Sequence, residues 1–451
     1  MGADQTVTLE SDAVELGGPP PGACLVIALE CNHPLAGSEP VWLRTGVVEI
    51  GRGERRGWGV RAPGDPLRIA VADDAMSTRH ARLDKGPDGW TLHDTGSKNG
   101  TRLNGQPVTR AALVDGDLIE AGRTLFLFRD GLAPPGPGAT LPYRIPGLST
   151  LHPPLGRDFV ELTRAAGSRI RVLVLGETGT GKELVARAVH TLSQRSGPFV
   201  PVNCGALPES LAASELFGHR RGAFSGAHAD YDGLIRRAHA GTLFLDEIAE
   251  LPERIQVALL RMLQENEVRP VGDNVPVAVD VRVVAATHRQ QPDQARGGPL
   301  RDDLYARLAG LTVTLPPLAE RREDIGLLVA SLLARIAGER ATELRLQEPA
   351  ARALFAYGWP LNVRELEQAL ERAVAVCPDQ LIRLDHLPEP VRAAGDDSAG
   401  ADARQQARLT ALLRKHRGNV TEVAREIGLS RAYTHRLIKR YAIDVDALRG
   451  R

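Results

Sequence analysis

Residues 171–182 read RVLVLGETGTGK and decide the fold of the central part of the chain. A short apolar run comes first, three glycines follow within six positions, and residues 183–191 have a helix-forming composition. This order predicts a strand, a phosphate-binding loop and a helix, because glycine lets backbone N–H groups approach phosphate oxygens and the helix N-terminus is positive. The residues expected to bind a nucleotide are Gly176, Glu177, Thr178, Gly179, Thr180, Gly181, Lys182 and Glu183.

A second motif, GTLFLDEI at residues 241–248, is an apolar strand that ends in two carboxylates. Asp246 is suited to holding Mg²⁺, and Glu247 to polarising a water for attack on the γ-phosphate. Taken singly, the first motif has an alternative interpretation as a glycine-rich turn without a binding role, and an acidic pair such as the second motif is usually a solvated strand end. Together they predict an ATPase that uses ATP and Mg²⁺. Because Glu183 stands where Ser or Thr usually follows the lysine, Asp246 must supply more of the metal binding.

Length and composition are those of a multidomain globular protein. The 451 residues suffice for roughly three domains, and 43% of them are hydrophobic and 25% charged. The formal net charge is zero, but residues 404–451 contain twelve Lys and Arg against four Asp and Glu. This local excess of positive charge predicts a polyanionic partner for the C-terminal segment.

The sequence has no feature of an exported or membrane protein. Its four cysteines are far apart, so neither a disulfide framework nor a zinc site is expected. No apolar run approaches about eighteen residues, and the N-terminus has neither the basic nor the apolar part of a signal peptide. We therefore expect a cytoplasmic protein without a membrane partner.

Residues 1–132 contain short alternating segments, among them 67–71, 90–93 and 124–128, separated by Gly, Pro and Asp. This pattern predicts an all-β sandwich or barrel. Residues 133–146 are rich in Pro and Gly and predict a linker.

The loops of the first segment carry Gly51 with Arg52, STRH at 77–80 and NGT at 99–101, and on these motifs it resembles a forkhead-associated (FHA) domain. The resemblance implies phosphothreonine binding, which a guanidinium and a hydroxyl can supply. The implied phosphopeptide contacts are Arg52, Ser77 and Asn99, with Arg79 or Lys98 compensating for departures from the family pattern at positions 78 and 98. The alternative is a purely structural sandwich.

Residues 215–227, ELFGHRRGAFSGA, place Phe224 on a loop between small residues. Composition alone favours a buried staple over an exposed contact. However, this loop, the two phosphate motifs and residues 202–204 resemble the AAA+ domain of bacterial enhancer-binding proteins, the activators of sigma-54 RNA polymerase. The resemblance implies that Phe224 and Ser225 contact sigma-54, with serine in place of the family's threonine.

The same resemblance assigns further residues within an α/β subdomain at 147–317 and a helical lid at 318–390. Thr287 and His288 correspond to the first sensor beside the γ-phosphate, and Arg364 to the second. Arg301 and Arg307 correspond to arginine fingers that enter a neighbouring subunit's site. The alternative for them is two solvated helical arginines. Asn203 corresponds to a residue that restrains the catalytic glutamate; its alternative is a strand-end cap.

Residues 391–402 predict a second linker, and apolar positions in residues 403–451 predict three short helices, an all-α helix-turn-helix that resembles a Fis-type domain. Basic and polar side chains on the last helix suit DNA contact, although a charge run is usually only a solvated face. The DNA-contact candidates are Arg431, Tyr433, Thr434, His435, Arg436, Lys439 and Arg440.

The sequence thus predicts a β-sandwich, an α/β P-loop core with an α-helical lid, and a helical tail. The implied function is ATP-hydrolysing transcription activation. The implied partners are sigma-54 RNA polymerase, DNA upstream of promoters, a phosphothreonine protein or Ser/Thr kinase, and further copies of the chain, from a dimer to a ring. The alternatives are a DNA-binding regulator that does not engage sigma-54, and a phosphopeptide-binding scaffold whose ATPase is vestigial.

Overall fold

The computed structural model describes residues 22–132, 134, 141–288, 300–396, 406, 409–416, 418–426, 434–435, 437–438, 441 and 443–445. Within these residues lie an N-terminal β-sandwich, a parallel sheet flanked by helices, a helical lid and part of a helical tail. Alternating and continuous apolar runs correspond to the strands, and helical periodicity corresponds to the lid and the tail.

The β-sandwich consists of two six-stranded sheets between residues 22 and 132. Its strands are β1 Gly22–Glu30, β2 Glu39–Trp42, β3 Val47–Arg52, β4 Gly57–Gly59, β5 Leu67–Val71, β6 Ala81–Gly86, β7 Gly89–Asp94, β8 Thr101–Leu103, β9 Gln106–Val108, β10 Arg110–Ala112, β11 Leu118–Ala121 and β12 Thr124–Leu132. Their orders are β2-β1-β12-β11-β8-β9 and β10-β7-β6-β3-β5-β4. In β5, alternate residues face the core, as the sequence pattern predicts. The prediction of an all-β first domain is confirmed.

Strands β1 and β12 differ from the others because they are buried on both faces. Seven consecutive residues of β1 and the first five of β12 are buried. One face packs inside the sandwich, and the other packs against the lid. A continuous apolar run is therefore needed where the other strands alternate.

The α/β part has a five-stranded parallel sheet in the order β16-β17-β20-β15-β21. In chain order its elements are β13 Tyr143–Ile145, β14 Leu148–Thr150, α1 Pro153–Ala165, β15 Val172–Gly176, α2 Lys182–Ser193, β16 Phe199–Asn203, α3 Ala212–Phe217, α4 Gly233–Arg237, β17 Thr242–Asp246, α5 Glu253–Glu265, β18 Glu267–Val268, β19 Val277–Ala278, β20 Arg282–Thr287, α6 Asp302–Leu308 and β21 Leu311–Leu315. The prediction of an α/β core is confirmed.

The lid packs four helices around a two-stranded parallel pair. Its elements are α7 Ile325–Ala337, β22 Arg345–Leu346, α8 Glu348–Ala356, α9 Asn362–Val376, β23 Leu381–Ile382 and α10 Glu389–Asp396. None of the helices in the described parts of the chain is long and apolar enough to cross a membrane.

Two predicted linkers are wrong at one end. The linker at 133–146 ends in a strand, because Tyr143 and Ile145 alternate and bury their side chains against α1. The linker at 391–402 begins inside α10, because Val391 is buried and Gly395 lies against Ala353 of α8. In both places a few buried residues form a short strand or the end of a helix because a partner surface is present.

The β-sandwich and the lid share one hydrophobic core. Cys24, Val26 and Leu127 from β1 and β12 belong to the same buried cluster as Ile325 and Val329 of α7. Polar contacts also cross this interface. Among them, Arg352 binds both carboxylate oxygens of Glu120 at 2.7 and 2.8 Å, Arg129 pairs with Glu323, and Leu346 N donates to Cys31 O at 2.8 Å. The two parts are therefore joined along a desolvated surface and not only through the chain.

The described part of the tail includes the helix α11 Val420–Glu426. Its buried apolar side chains form a cluster that also contains Val114, from the loop before β11 of the β-sandwich. The tail residues of this cluster are Leu409, Leu413, Val420, Val423, Leu437 and Ile438.

Candidate functional site

The phosphate-binding loop connects β15 to α2 at the carboxyl edge of the parallel sheet, where ligands bind in open α/β sheets. Gly179 and Gly181 have φ of 80° and 107°, which L side chains rarely adopt. At Gly179 a Cβ would also lie 2.2 Å from the carbonyl oxygen of Leu361 in the lid. Thr180 is buried, and its hydroxyl donates to Glu177 O at 2.8 Å. The loop is thus shaped by glycine backbone and closed by the lid.

Lys182, Glu247 and His288 form a continuous polar chain beside this loop. Lys182 Nζ donates to Gly176 O at 3.0 Å and to Glu247 Oε1 at 3.1 Å. His288 Nδ1 lies 2.6 Å from Glu247 Oε2. Burial alone would raise the pKa of Glu247, but the hydrogen bonds from His288 and Lys182 outweigh it and lower the pKa. Glu247 is therefore ionised at neutral pH, which is the form that a general base requires.

Asp246 ends β17 next to Glu247, and its Oδ1 accepts from Glu247 N at 3.1 Å. Burial raises the pKa of Asp246, while Lys182 opposes the rise. In the described chain no group of three or more His, Cys, Asp or Glu residues is placed to hold a metal ion. A carboxylate at the end of β17 beside the phosphate-binding loop fits Mg²⁺, which proteins usually bind through one or two carboxylates together with substrate phosphates.

Asn203 lies at the end of β16, directly opposite Asp246 in the sheet. Its side-chain oxygen accepts a hydrogen bond from Gly205 N at 3.0 Å, so it caps the turn after the strand. Glu247 is held by Lys182 and His288 instead. This is the strand-end arrangement that the sequence left open as the alternative. Thr287 is buried at the end of β20, the central strand of the sheet.

Two lid residues that the sequence reasoning missed contact the phosphate-binding loop. Asn362, fully buried with φ of 56°, donates from Nδ2 to Thr178 O at 3.1 Å and accepts from Leu318 N at 2.7 Å. Arg321 donates from Nη2 to Thr180 O at 3.0 Å. The signal for Asn362 was available, because asparagine is the residue that most readily replaces glycine in the left-handed conformation of a turn.

Arg364, the predicted second sensor, lies in the first turn of α9 with an exposed side chain. Its backbone N donates to Gly179 O at 3.3 Å. The structure therefore brings Arg364 to the loop through its main chain.

The two predicted arginine fingers lie on or next to α6. Arg301 precedes the helix and pairs with Glu253 at 2.6 Å and Asp303 at 2.9 Å. Arg307 is in the last turn, and its side chain is exposed. Arg301 is thus held within its own subunit, while Arg307 faces outward.

The GAFSGA loop presents an aromatic side chain on a braced base. Phe224 is 38% exposed, with its ring edge-to-face against His219 at 5.0 Å, and Ser225 is exposed. Arg220 braces the base by pairing with Asp230 and Asp273, both at 2.8 Å. Phe224 is therefore neither fully buried nor fully exposed, because its ring packs against His219 while part of it is accessible to solvent.

The segment that contains Asp273 was missed by the sequence reasoning. It places Val275, 63% exposed, two residues beyond the brace. The exposed part of this region therefore includes an aliphatic side chain as well as the aromatic one.

Of the predicted phosphopeptide residues, Arg52 ends strand β3 and the other four lie in loops of the β-sandwich. Arg52 N donates to Ser77 O at 2.9 Å, and Ser77 Oγ accepts from Lys98 N at 3.0 Å. Asn99 Nδ2 donates to Ala75 O at 2.7 Å. Arg52, Arg79, Lys98 and Asn99 are exposed, and Ser77 is half-buried. The loops before β6 and before β8 are thus tied together at one end of the sandwich.

His80 is fully buried beneath these loops. Its Nδ1 lies 3.0 Å from Ser77 N, and its Nε2 lies 3.1 Å from Gly100 O. It therefore braces the two loops from beneath.

Two of the seven DNA-contact candidates lie within the described residues. Thr434 is buried and His435 is exposed. The other candidates lie outside the described residues: Arg431, Tyr433, Arg436, Lys439 and Arg440.

Comparison with protein families identifies three matched regions. Residues 152–314 match the Sigma-54 interaction domain. Residues 319–404 match the AAA+ ATPase lid domain, and residues 48–122 match the FHA domain. The first two regions contain every residue of the nucleotide site described above.

The chain is also similar to individual regulators. It is 43% identical over 300 residues to the hydrogenase transcriptional regulatory protein HoxA of Cupriavidus necator, covering 62% of each chain. It is 43% identical over 302 residues to the transcriptional regulatory protein GlrR of Escherichia coli, covering 65% of this chain and 68% of GlrR. The crystal structure of NtrX from Brucella abortus in complex with ADP has a TM-score of 0.52 at 30% identity, covering 66% of this chain and 70% of NtrX. The chain thus spans about two thirds of the length of these relatives.

Proposed function

Because the chain belongs to the family of transcription regulators that carry a sigma-54 interaction domain, we propose that it is an ATP-hydrolysing activator that remodels sigma-54 RNA polymerase at promoters. The observation that carries this proposal is the placement of Lys182, Asp246 and Glu247 together at the carboxyl edge of the parallel sheet. An exposed aromatic loop belongs to the same matched region.

In the proposed reaction the chain's own residues divide the work on ATP. Lys182 and the backbone N–H groups of the glycine loop bind the phosphates. Glu247, kept ionised by its hydrogen bonds, accepts the proton of the attacking water. Asp246 would hold Mg²⁺, which when bound neutralises charge on the phosphates. His288, which hydrogen-bonds to Glu247, and Thr287 at the end of β20 would sense the γ-phosphate.

Assembly would complete the site. Arg307 is exposed and available to a neighbouring protomer, whereas Arg301 must first leave Glu253 and Asp303. An arginine inserted between subunits stabilises charge in the transition state. ATP turnover is then expected to depend on protein concentration, and a homo-oligomer, from a dimer to a ring, is the active form.

Turnover would move the GAFSGA loop against sigma-54. Phe224 and Ser225 are exposed at its tip, and the Arg220 brace connects its base to the segment before β19. In vitro open-complex formation with sigma-54 RNA polymerase tests this step. Phe224→Ala should abolish activation while ATP turnover persists, and Lys182→Ala should abolish both. If the wild-type protein hydrolyses ATP but never activates sigma-54 polymerase, the sigma-54 part of the proposal is wrong.

The FHA domain would regulate the activator, and the basic C-terminal segment would bring it to DNA. The FHA loops suit a phosphothreonine protein, such as a Ser/Thr kinase or its substrate, through Arg52 and Ser77. The basic tail suits DNA upstream of the promoter. Binding of a phosphothreonine peptide and of duplex DNA to the purified chain tests both.

A further inference from the structure

Two side chains of the lid region bind carbonyl oxygens of the phosphate-binding loop. Arg321 Nη2 donates to Thr180 O at 3.0 Å, and Asn362 Nδ2 donates to Thr178 O at 3.1 Å. A peptide unit is planar and trans, so holding a carbonyl oxygen also fixes the direction of the N–H that follows it. These two contacts therefore orient the N–H groups of Gly179 and Gly181, which the loop uses for phosphate.

Arg321 is an unusual side chain to bury. It is 3% exposed, its Nη1 lies 3.9 Å from Asp324, and among the described residues its Nε has no hydrogen-bond partner. Burial of an arginine with an incomplete set of partners is unfavourable, and hydrophobic side chains of similar size often replace such groups without loss of stability. Stability alone thus gives little reason for an arginine here, whereas the contact with Thr180 requires a donor of this length.

The residues that follow Arg321 are bound by other parts of the chain. Arg322 Nη1 donates to Gly116 O of the FHA domain at 2.8 Å. Glu323, whose side chain is 1% exposed, pairs with Arg129 of the FHA domain. Asp324 accepts from the Thr150 hydroxyl at 2.6 Å. Four consecutive residues therefore connect the phosphate-binding loop, the FHA domain and the β13–β14 hairpin.

We propose that Arg321 is a positioning residue of the nucleotide site, and that the FHA domain tunes nucleotide affinity by holding the segment 321–324. This inference rests on the proposed nucleotide binding. It assigns the FHA domain a direct structural route to the ATPase, through the Arg129–Glu323 pair and the Arg322–Gly116 contact.

The first test measures the Kd of a fluorescent ATP analogue with Mg²⁺ in the full-length chain. Arg321→Met should weaken binding about ten-fold, the effect of losing one hydrogen bond from a charged donor, and Arg321→Lys should recover part of it. Arg282→Met is the matched control, because Arg282 is also buried, donates to one backbone carbonyl, that of Ala166, and has an unpartnered Nε in the described chain. Its Kd should stay within about two-fold of wild type. Equal losses in the two variants would overturn the positioning role.

The second test addresses the FHA domain with the same binding assay. Arg129→Met should weaken nucleotide binding about three- to five-fold, since it releases Glu323 from the FHA side. Arg56→Met is the control, because Arg56 is similarly buried but pairs with Glu30 and Glu39 inside the FHA domain. An unchanged Kd in Arg129→Met, or an equal change in Arg56→Met, would overturn the route through the segment.

Lys182→Ala separates this inference from the proposed function. If Lys182→Ala abolishes binding while Arg321→Met behaves like Arg282→Met, only the inference falls. If Lys182→Ala binds the analogue as tightly as the wild type, the nucleotide site itself is wrong.

Discussion

Gly326, in the first turn of α7, reports directly on the contact between the FHA domain and the lid. A Cβ at this position would lie 1.8 Å from Ala28 O in β1 and 2.4 Å from Ser38 Oγ. Helix propensity alone predicts that Gly326→Ala stabilises the protein by about 0.5–1 kcal/mol. The contact with β1 predicts the opposite sign, so one substitution separates the two effects.

The magnitude follows from the displacement that the added methyl group requires. The Cβ and the Ala28 oxygen must separate by roughly 1.5 Å before they reach ordinary van der Waals contact. Backbone lies on both sides, so the strand must move, which disturbs the Arg352–Glu120 and Arg129–Glu323 pairs of the same interface. Overpacking together with weakened buried ion pairs should cost about 3 kcal/mol. For a folding unit of roughly 200 residues, the β-sandwich together with the lid, the melting temperature should fall by about 9 °C.

Thermal unfolding of the full-length chain measures this effect. Gly358→Ala is the control, because it also changes a lid glycine to alanine but nothing lies within 4 Å of the added Cβ. It should leave stability unchanged or raise it by up to about 1 kcal/mol. A Gly326→Ala protein that melts at or above the wild-type temperature would refute the docked arrangement of β1 and α7.

Three further predictions concern the site, the FHA loops and pH. Glu247→Gln should keep nucleotide binding but lower the ATP turnover rate at least about 100-fold, and a rate within a few-fold of wild type would remove Glu247 as the base. Arg52→Ala should weaken binding of a phosphothreonine peptide at least about ten-fold in fluorescence anisotropy, with the unphosphorylated peptide as control; similar binding of both peptides would contradict the phosphate contact. Burial raises the pKa of Asp324 to about 6, so the folded state binds the proton of this carboxyl group more tightly than the unfolded state does. Protonation of Asp324 therefore stabilises the folded state fully below about pH 4, and this stabilisation is lost as pH rises through about 6. The free energy of unfolding should therefore be measured for Asp324→Asn and wild type at pH 4 and at pH 7. Between pH 4 and pH 7 the variant should become about 2 kcal/mol more stable relative to wild type, and a pH-independent difference would contradict the assignment.

The parts of the site that were predictable from sequence are those whose chemistry is local. Lys182 follows its glycine loop directly, and Asp246 and Glu247 are adjacent, so strand, loop and residue type appear in one short stretch. The FHA loops were predictable for the same reason, since Arg52 and Ser77 lie within short motifs. The all-β and α/β classes followed from hydrophobic period.

The parts that were not predictable depend on residues far apart in the chain. Arg321 and Asn362 contact the phosphate-binding loop from more than 140 residues away in the sequence. Their neighbouring residues carry no pattern that identifies Thr180 or Thr178 as the hydrogen-bond partner. The burial of both faces of β1 was visible as an unbroken apolar run, but its second partner, α7, was not. The role of Asn203 was open because a strand-end asparagine suits either a cap or a contact with Glu247.

The doubly covered strands β1 and β12 also affect how the chain is made. Arg129 precedes its partner Glu323 by 194 residues. At roughly 5–20 residues per second, a ribosome needs about 10–40 s to add them. During that time the completed sandwich exposes to solvent the apolar surface that packs against α7 and α8 in the folded protein. Nascent chains of this protein should therefore engage a holding chaperone until residue 356 has left the exit tunnel, and slower translation between the two regions should increase that dependence.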